Sequence, residues 1–196
     1  MPRTKWEKMS VHDAIARLEV ATKKHHPNIK LGIDGISQTE IDELRKSIPH
    51  APEQLFDLFE HYDFASHQLL YPLDPLRADQ MKPQIQIDYF EDMVGGEVDG
   101  WTPDKLRCCK ADKLWREKWI PIGKINGDPW FIDMDPTENG VPGQIVSVTT
   151  DGFGLAVKAY SLAHLLDRMA EKFENGESYQ GEYSLFDNQE LPPPRE

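Results

Sequence analysis

Two aspartates that stand two positions apart, Asp133 and Asp135, come nearest to a chemical site in this sequence of 196 residues. Carboxylates so placed can hold a calcium ion, or can serve as the acid and base of a hydrolase. A calcium loop beginning at Asp133 would need glycine at its sixth position and glutamate at its twelfth, but Glu138 and Gln144 stand there. We therefore interpret the segment as a structural turn, and keep a hydrolase that uses both aspartates as the alternative.

Two pairs of histidines are the candidates for a metal site. His25 is followed by His26, and His61 is followed six positions later by His67. Neither pair has the spacing of the helical zinc motif, and no second pair of cysteines or histidines accompanies them. The sequence predicts surface or capping histidines and no bound metal.

Cysteine and glycine patterns give no catalytic motif either. Cys108 and Cys109 are adjacent, without the two-residue spacer of a redox or zinc motif, so we expect unreactive thiols. The glycine-rich segment 95–100 lacks a lysine followed by serine or threonine, and its acidic residues would repel phosphate. The prediction is therefore no enzyme and no cofactor.

Charge is the strongest global signal. The chain has 22 basic and 34 acidic side chains and a net charge of −12, although residues 1–30 alone hold seven basic and three acidic ones. Such a field repels nucleic acid and anionic membranes, and it attracts basic proteins. The alternative is that the acidic surface only keeps the protein soluble.

The N-terminal third carries the signals of three helices. An apolar stripe predicts an amphipathic helix over about 10–24. Ser37 and Glu40 form a capping box that opens a second helix, which ends near Pro49. A third helix is expected to open at Pro52, a favourable first-turn residue.

The pattern then changes to short β-branched and aromatic segments separated by turn residues. Before these segments we expect a strand near 68–73 and a helical turn near 85–94. After them we expect a helix from Ser161 to Asn175. The predicted strands are 119–125, 130–134, 144–149 and 155–159. This order is typical of an α+β domain, an antiparallel sheet flanked by helices, over residues 1–176. Residues 177–196 read as a proline-rich tail that lies on the surface or is disordered.

Targeting signals are not recognisable. No apolar run approaches the roughly 20 residues that cross a bilayer, and the first thirty residues lack the apolar middle of a signal peptide. A cytoplasmic protein without membrane contact, monomeric or weakly dimeric, is expected.

The strand region also carries a resemblance to a known family. The segments concerned are Trp115 with 119–123, 126–128, 131–136, Gly140 with 143–146, and 156–161 with Leu165 and Leu166. They resemble the signature of the SUKH superfamily, which includes the fungal Smi/Knr cell-wall-synthesis regulators and many bacterial immunity proteins. The resemblance implies a SUKH-like α+β fold and, for bacterial members, a non-enzymatic protein that binds and neutralises a cognate toxin delivered by a neighbouring cell or encoded beside it. The alternative is a regulatory or scaffold module of the cell-wall-regulator type.

The signature residues themselves are expected to be structural. Trp119, Phe131 and Val146 should belong to the core, together with Ile122 and Ile145. Pro136, Gly140 and Gly143 should set a turn, with Gly143 at a positive φ.

Partner binding is expected instead in acidic loops. Carboxylates around an aromatic anchor would suit a basic toxin, with charge speeding encounter and the aromatic side chain supplying burial. A solvated loop with Trp101 folded inward is the alternative. The predicted partner-binding residues are Glu91, Asp92, Glu97, Asp99, Trp101, Asp133, Asp135 and Glu138.

Overall fold

Helices and antiparallel strands make up the part of the chain that the computed structural model describes, which is residues 9–25, 27, 33–63, 74–75, 77–81, 108–110, 116–125, 128–149 and 154–176. The helices are α1 (Val11–His25), α2 (Gln38–Ser47), α3 (Glu53–His61) and α4 (Leu162–Glu174), with a 3₁₀ turn at Ala78–Met81. The strands are β1 (Ile33–Asp34), β2 (Tyr62–Asp63), β3 (Asp74–Pro75), β4 (Trp119–Ile125), β5 (Asp128–Asp133), β6 (Gln144–Thr149) and β7 (Gly154–Ala159). The α+β class is confirmed.

Side-chain caps explain where three of these helices begin. Ser10 accepts a hydrogen bond from the Asp13 backbone N–H at 3.0 Å before α1. At α2 the capping box is complete, because the Ser37 N–H also donates to Glu40 Oε2 at 2.8 Å. Ser161 accepts from the His164 N–H at 3.1 Å before α4. Each cap satisfies backbone donors that the first helical turn leaves unpaired.

The larger sheet has the order β3-β4-β5-β6-β7, with every neighbouring pair antiparallel. The register lines up residues across the strands in rows. One row runs Ile120, Ile132, Ile145, Ala159, and the adjacent row runs Pro121, Phe131, Val146, Val157. Because side chains alternate between the faces of a strand, successive rows point to opposite sides of the sheet.

These two sides belong to two separate apolar clusters. Ile120, Ile132 and Ile145 pack with the buried faces of all four helices. Phe131 and Val146 face the other side, in a cluster that also holds Trp119, Val148, Leu155, Val157, Tyr160 and both cysteines. The core positions expected from the sequence are confirmed as buried, among them Ile122.

A charged bridge ties the first helix to the last. The Arg17 guanidinium on α1 donates to Asp167 and Glu174, both on α4. These bonds raise the pKa of Arg17 above its ordinary value, and Arg17 in turn lowers the pKa of Glu174. The N-terminal helix is thereby fixed to the helix that closes the fold.

Some predicted elements cannot be compared. The strand near 68–73, the helical turn near 85–94 and the tail 177–196 lie outside the described residues. The short strands β1, β2 and β3 and the 3₁₀ turn were not expected from the sequence. Of the helices that the structure describes, none has both the length and the apolar character that crossing a bilayer needs.

Candidate functional site

The predicted turn residues lead to a polar network inside the second apolar cluster. Two rows from that of Phe131, and on the same face of the sheet, Trp119 on β4 is paired with Asp133 on β5, which is paired with Gln144 on β6. The Asp133 and Gln144 side chains are both fully buried. Directly opposed residues of an antiparallel pair have Cβ atoms about 5 Å apart. The register therefore brings carboxyl and amide groups together.

Gln144 uses the whole hydrogen-bonding capacity of its amide donors. Its Nε2 donates to Asp133 Oδ2 at 2.9 Å and to the Cys108 carbonyl oxygen at 3.0 Å. Its Oε1 accepts from the Val141 backbone N–H at 3.2 Å. Exchanging the amide oxygen and nitrogen would place an oxygen against two acceptors, so the side chain has one orientation. We call Asp133, Gln144 and Cys108 the Gln144 network.

The network fixes the loop between β5 and β6 to the segment at Cys108. The Asp135 N–H donates to Asp133 Oδ1 at 2.9 Å, and the Gly143 N–H donates to the Asp133 carbonyl oxygen at 2.8 Å. The Thr137 N–H reaches the Cys108 carbonyl oxygen at 3.2 Å. Gly143 has φ +91°, which confirms the positive φ expected from the sequence.

Gly140 allows the closest approach in this loop. A Cβ at this position would lie 2.3 Å from the Cys108 carbonyl oxygen and 2.5 Å from the Pro136 Cβ. Only glycine admits that contact without displacing the backbone. The expected turn role of Gly140 thus has a specific cause, the passage of the Cys108 segment.

Burial raises the pKa of the Asp133 carboxyl above its ordinary value. Hydrogen bonds from Gln144 and from the Asp135 N–H oppose this effect, since they stabilise the ionised form. The Trp119 indole lies close enough to lower the pKa as well, although its Nε1 makes no hydrogen bond of regular geometry with any described residue. Dipoles rather than a cation hold this carboxyl, because Lys110 and Arg116 pair with Asp135 instead.

Asp133→Asn is expected to lower the free energy of unfolding by about 2 kcal/mol, because the new amide N–H₂ would face the donor Nε2 of Gln144. The cost should be larger near about pH 3 than at pH 7. With a raised folded pKa, the stabilisation from Asp133 titration is fully present below its ordinary pKa of 3.8 and is lost as the pH rises through the folded value, whereas Asn does not titrate. Urea unfolding of both proteins at the two pH values measures this; a cost that grows with pH would contradict it.

The burial of Asp133 corrects one part of the predicted partner surface. A side chain with 0% exposure cannot contact a partner, so Asp133 belongs to the interior scaffold. Asp135 is partly exposed and its pKa is lowered, first by the hydrogen bond from Lys110 at 2.6 Å. Glu138 is exposed. The calcium and hydrolase interpretations both need two carboxylates facing one site, and here one faces inward and the other pairs with a lysine.

The remaining predicted partner residues lie outside the described part of the chain, and their role stays a prediction. These are Glu91, Asp92, Glu97, Asp99 and Trp101. A second group of exposed carboxylates, which was not predicted from the sequence, lies on α2 and α3. These carboxylates are Glu40, Asp42, Glu43, Glu53 and Glu60, and only Arg45 and Lys46 stand among them as cations.

The structure pairs His61 with a histidine other than the one that the sequence suggested. His61 contacts His12 on α1, with the two Nε2 atoms 2.7 Å apart, whereas His26 and His67 lie outside the described residues. Cys108 and Cys109 are buried and form no disulfide. In the residues with described positions, no three His, Cys, Asp or Glu side chains cluster as metal ligands.

No family model matches the chain, and no curated protein matches it. The SUKH resemblance therefore stays a prediction from the residues that carry it.

Proposed function

We propose that the chain is an immunity protein, which binds a basic bacterial toxin in the cytoplasm and neutralises it by covering its active or substrate-binding surface. The sequence resemblance to SUKH proteins is the origin of the proposal. The α+β fold that the resemblance implies is compatible with the observed sheet and helices. The regulatory or scaffold role remains the alternative.

The observation that carries the proposal is that the buried polar side chains of Asp133 and Gln144 hold the β5–β6 loop in place. Asp133 and Gln144 are the buried polar residues at the predicted site, and their functional groups are bonded to each other and to backbone groups of the adjoining segments. A carboxyl and an amide so engaged hold a loop in place; they are not presented to a substrate. The loop thereby gains a fixed shape, and a fixed surface loses less conformational entropy on binding.

Charge supports a basic partner. The net charge is −12, and carboxylates on α2 and α3 are exposed along with Glu138 in the β5–β6 loop. A negative field accelerates encounter with a positive protein, by roughly 10- to 1000-fold at low ionic strength. Electrostatic attraction of this kind raises the association rate more than it lowers the dissociation rate. Fast capture suits a protein that must act before a toxin reaches its target.

A co-expression experiment tests the function. Cells that express the toxin domain encoded beside this gene should survive when the chain is co-expressed, and the two proteins should co-purify as a stoichiometric complex. Growth curves and light scattering on the purified complex measure both results. Failure to rescue or bind any neighbouring toxin domain would contradict the proposal, and rescue without a complex would contradict occlusion.

Neutralising the acidic segment around Trp101 should slow association with the toxin by about tenfold at low salt, and by less at high salt. A matched control removes the same number of charges from exposed positions on the helices and should have a smaller effect. Stopped-flow or surface-plasmon kinetics distinguish them; equal effects would assign the contribution to overall charge. The test variant is Glu91→Gln, Asp92→Asn, Glu97→Gln and Asp99→Asn, and the control is Asp42→Asn, Glu43→Gln, Glu60→Gln and Glu171→Gln.

A further inference from the structure

Two histidines from different helices meet at the surface, away from the Gln144 network. His12 is the second residue of α1 and is exposed, and His61 is the last residue of α3 and is half-buried. Their Nε2 atoms are 2.7 Å apart. The ring centroids are 4.1 Å apart and the ring planes are inclined by 84°.

These two distances show that the nitrogens do not point straight at each other. A straight contact at an Nε2 separation of 2.7 Å would place the centroids about 5 Å apart, well beyond the observed 4.1 Å. The contact is a bent hydrogen bond from one Nε2–H to the other Nε2. It places an imidazole nitrogen of α1 beside one of α3, and imidazole nitrogens are the ligands by which histidine binds transition-metal ions.

The separation of the two nitrogens indicates the kind of ion. At bond lengths of roughly 2.0–2.1 Å, neighbouring nitrogens lie about 2.9 Å apart on a tetragonal or square-planar ion and about 3.3 Å apart on a tetrahedral one, and the observed 2.7 Å is nearer to the first value. Imidazole nitrogens in such an arrangement suit Cu²⁺ and Ni²⁺, whereas structural zinc sites are tetrahedral. The order of divalent affinities also places Cu²⁺ above Ni²⁺.

We propose that His12 and His61 form a binding site for a divalent transition-metal ion, Cu²⁺ in preference to Ni²⁺. The two Nε2 atoms take neighbouring coordination positions, and water takes the others, since no third His, Cys, Asp or Glu joins them among the residues whose positions are described. The ion cross-links α1 to α3. It binds the folded chain in preference to the unfolded one, because unfolding separates two residues that are 49 positions apart.

The experiment uses the full chain without a histidine tag, freed of metal with a chelator and titrated with CuSO₄ or NiCl₂. Calorimetry should give one Cu²⁺ per chain, and the thermal unfolding midpoint should rise with Cu²⁺ concentration. Electron paramagnetic resonance of the Cu²⁺ form should show two imidazole nitrogens. His12→Gln and His61→Gln should each weaken Cu²⁺ binding at least tenfold and abolish the rise in the midpoint.

His50→Gln is the matched control, because His50 is exposed in the turn between α2 and α3 and is not part of the pair. It should bind Cu²⁺ as the unchanged protein does. Unchanged affinity in His12→Gln or His61→Gln would place the ion elsewhere and overturn the proposal. Binding that leaves the unfolding midpoint unchanged would overturn the cross-link, and Zn²⁺ binding as tight as Cu²⁺ binding would overturn the inferred geometry. Circular dichroism of each variant confirms that a loss of binding is not a loss of folding.

Discussion

Gln144→Glu is expected to lower the free energy of unfolding by about 4 kcal/mol, since it buries a second carboxylate against Asp133. Gln144 Nε2 now donates to Asp133 Oδ2 and to the Cys108 carbonyl oxygen. A glutamate would replace both donated bonds by contacts between acceptors, in a site with no exposed area. Protonating the new carboxyl restores one donor, so the loss should become smaller as the pH is lowered.

Gln54→Glu is the matched control, because it makes the same chemical change on α3, at a side chain whose oxygen accepts a hydrogen bond. Gln54 Oε1 accepts from the Ala163 N–H at 3.2 Å, in the first turn of α4. A carboxylate keeps this acceptor and lies favourably near a helix N-terminus, so stability should change by less than about 1 kcal/mol. Urea unfolding at pH 7 and at acid pH measures both variants. Equal losses in the two proteins would show that the Gln144 network is not what fixes the β5–β6 loop.

The Gln144 network also shows why part of the candidate site could not be predicted. Strands 119–125 and 144–149 were predicted with the bounds observed, because alternation and turn residues are local signals. The burial of Asp133 depends on Cys108, which is 36 positions from Gln144, and on the register of β5 with β6. An aspartate beside a turn has the same local sequence whether it faces solvent or the interior. The sequence therefore placed Asp133 on a surface that it does not reach.

A similar distinction separates the capping box from the histidine pair. Ser37 and Glu40 are three positions apart, so sequence alone predicts their two hydrogen bonds. The same reasoning paired His61 with His67, its neighbour in sequence, whereas the structure brings His61 to His12. That contact depends on how α1 packs against α3. An exposed histidine on an amphipathic helix carries no local mark of the partner it will meet.

Gly35→Ala is expected to cost about 3 kcal/mol of unfolding free energy, because the added methyl group would meet backbone rather than side chains. A Cβ at Gly35 would lie 1.9 Å from the Glu60 carbonyl oxygen and 2.7 Å from that of Phe59. The Ile36 N–H donates to the same Phe59 oxygen at 2.9 Å, and Asp34 pairs with Tyr62. The end of α3 cannot move away without losing these bonds.

Gly176→Ala separates this contact from the general cost of replacing a glycine. Gly176 follows α4 at φ +75° and has open space around it, so alanine there should cost only the strain of a left-handed conformation, about 1 kcal/mol. Thermal and urea unfolding give both values under the same conditions. Since α3 ends at His61, the displacement in Gly35→Ala should also weaken Cu²⁺ binding, whereas Gly176→Ala should leave it unchanged. Equal stability losses in the two variants would mean that the segment at Gly35 yields easily and that packing against α3 does not fix it.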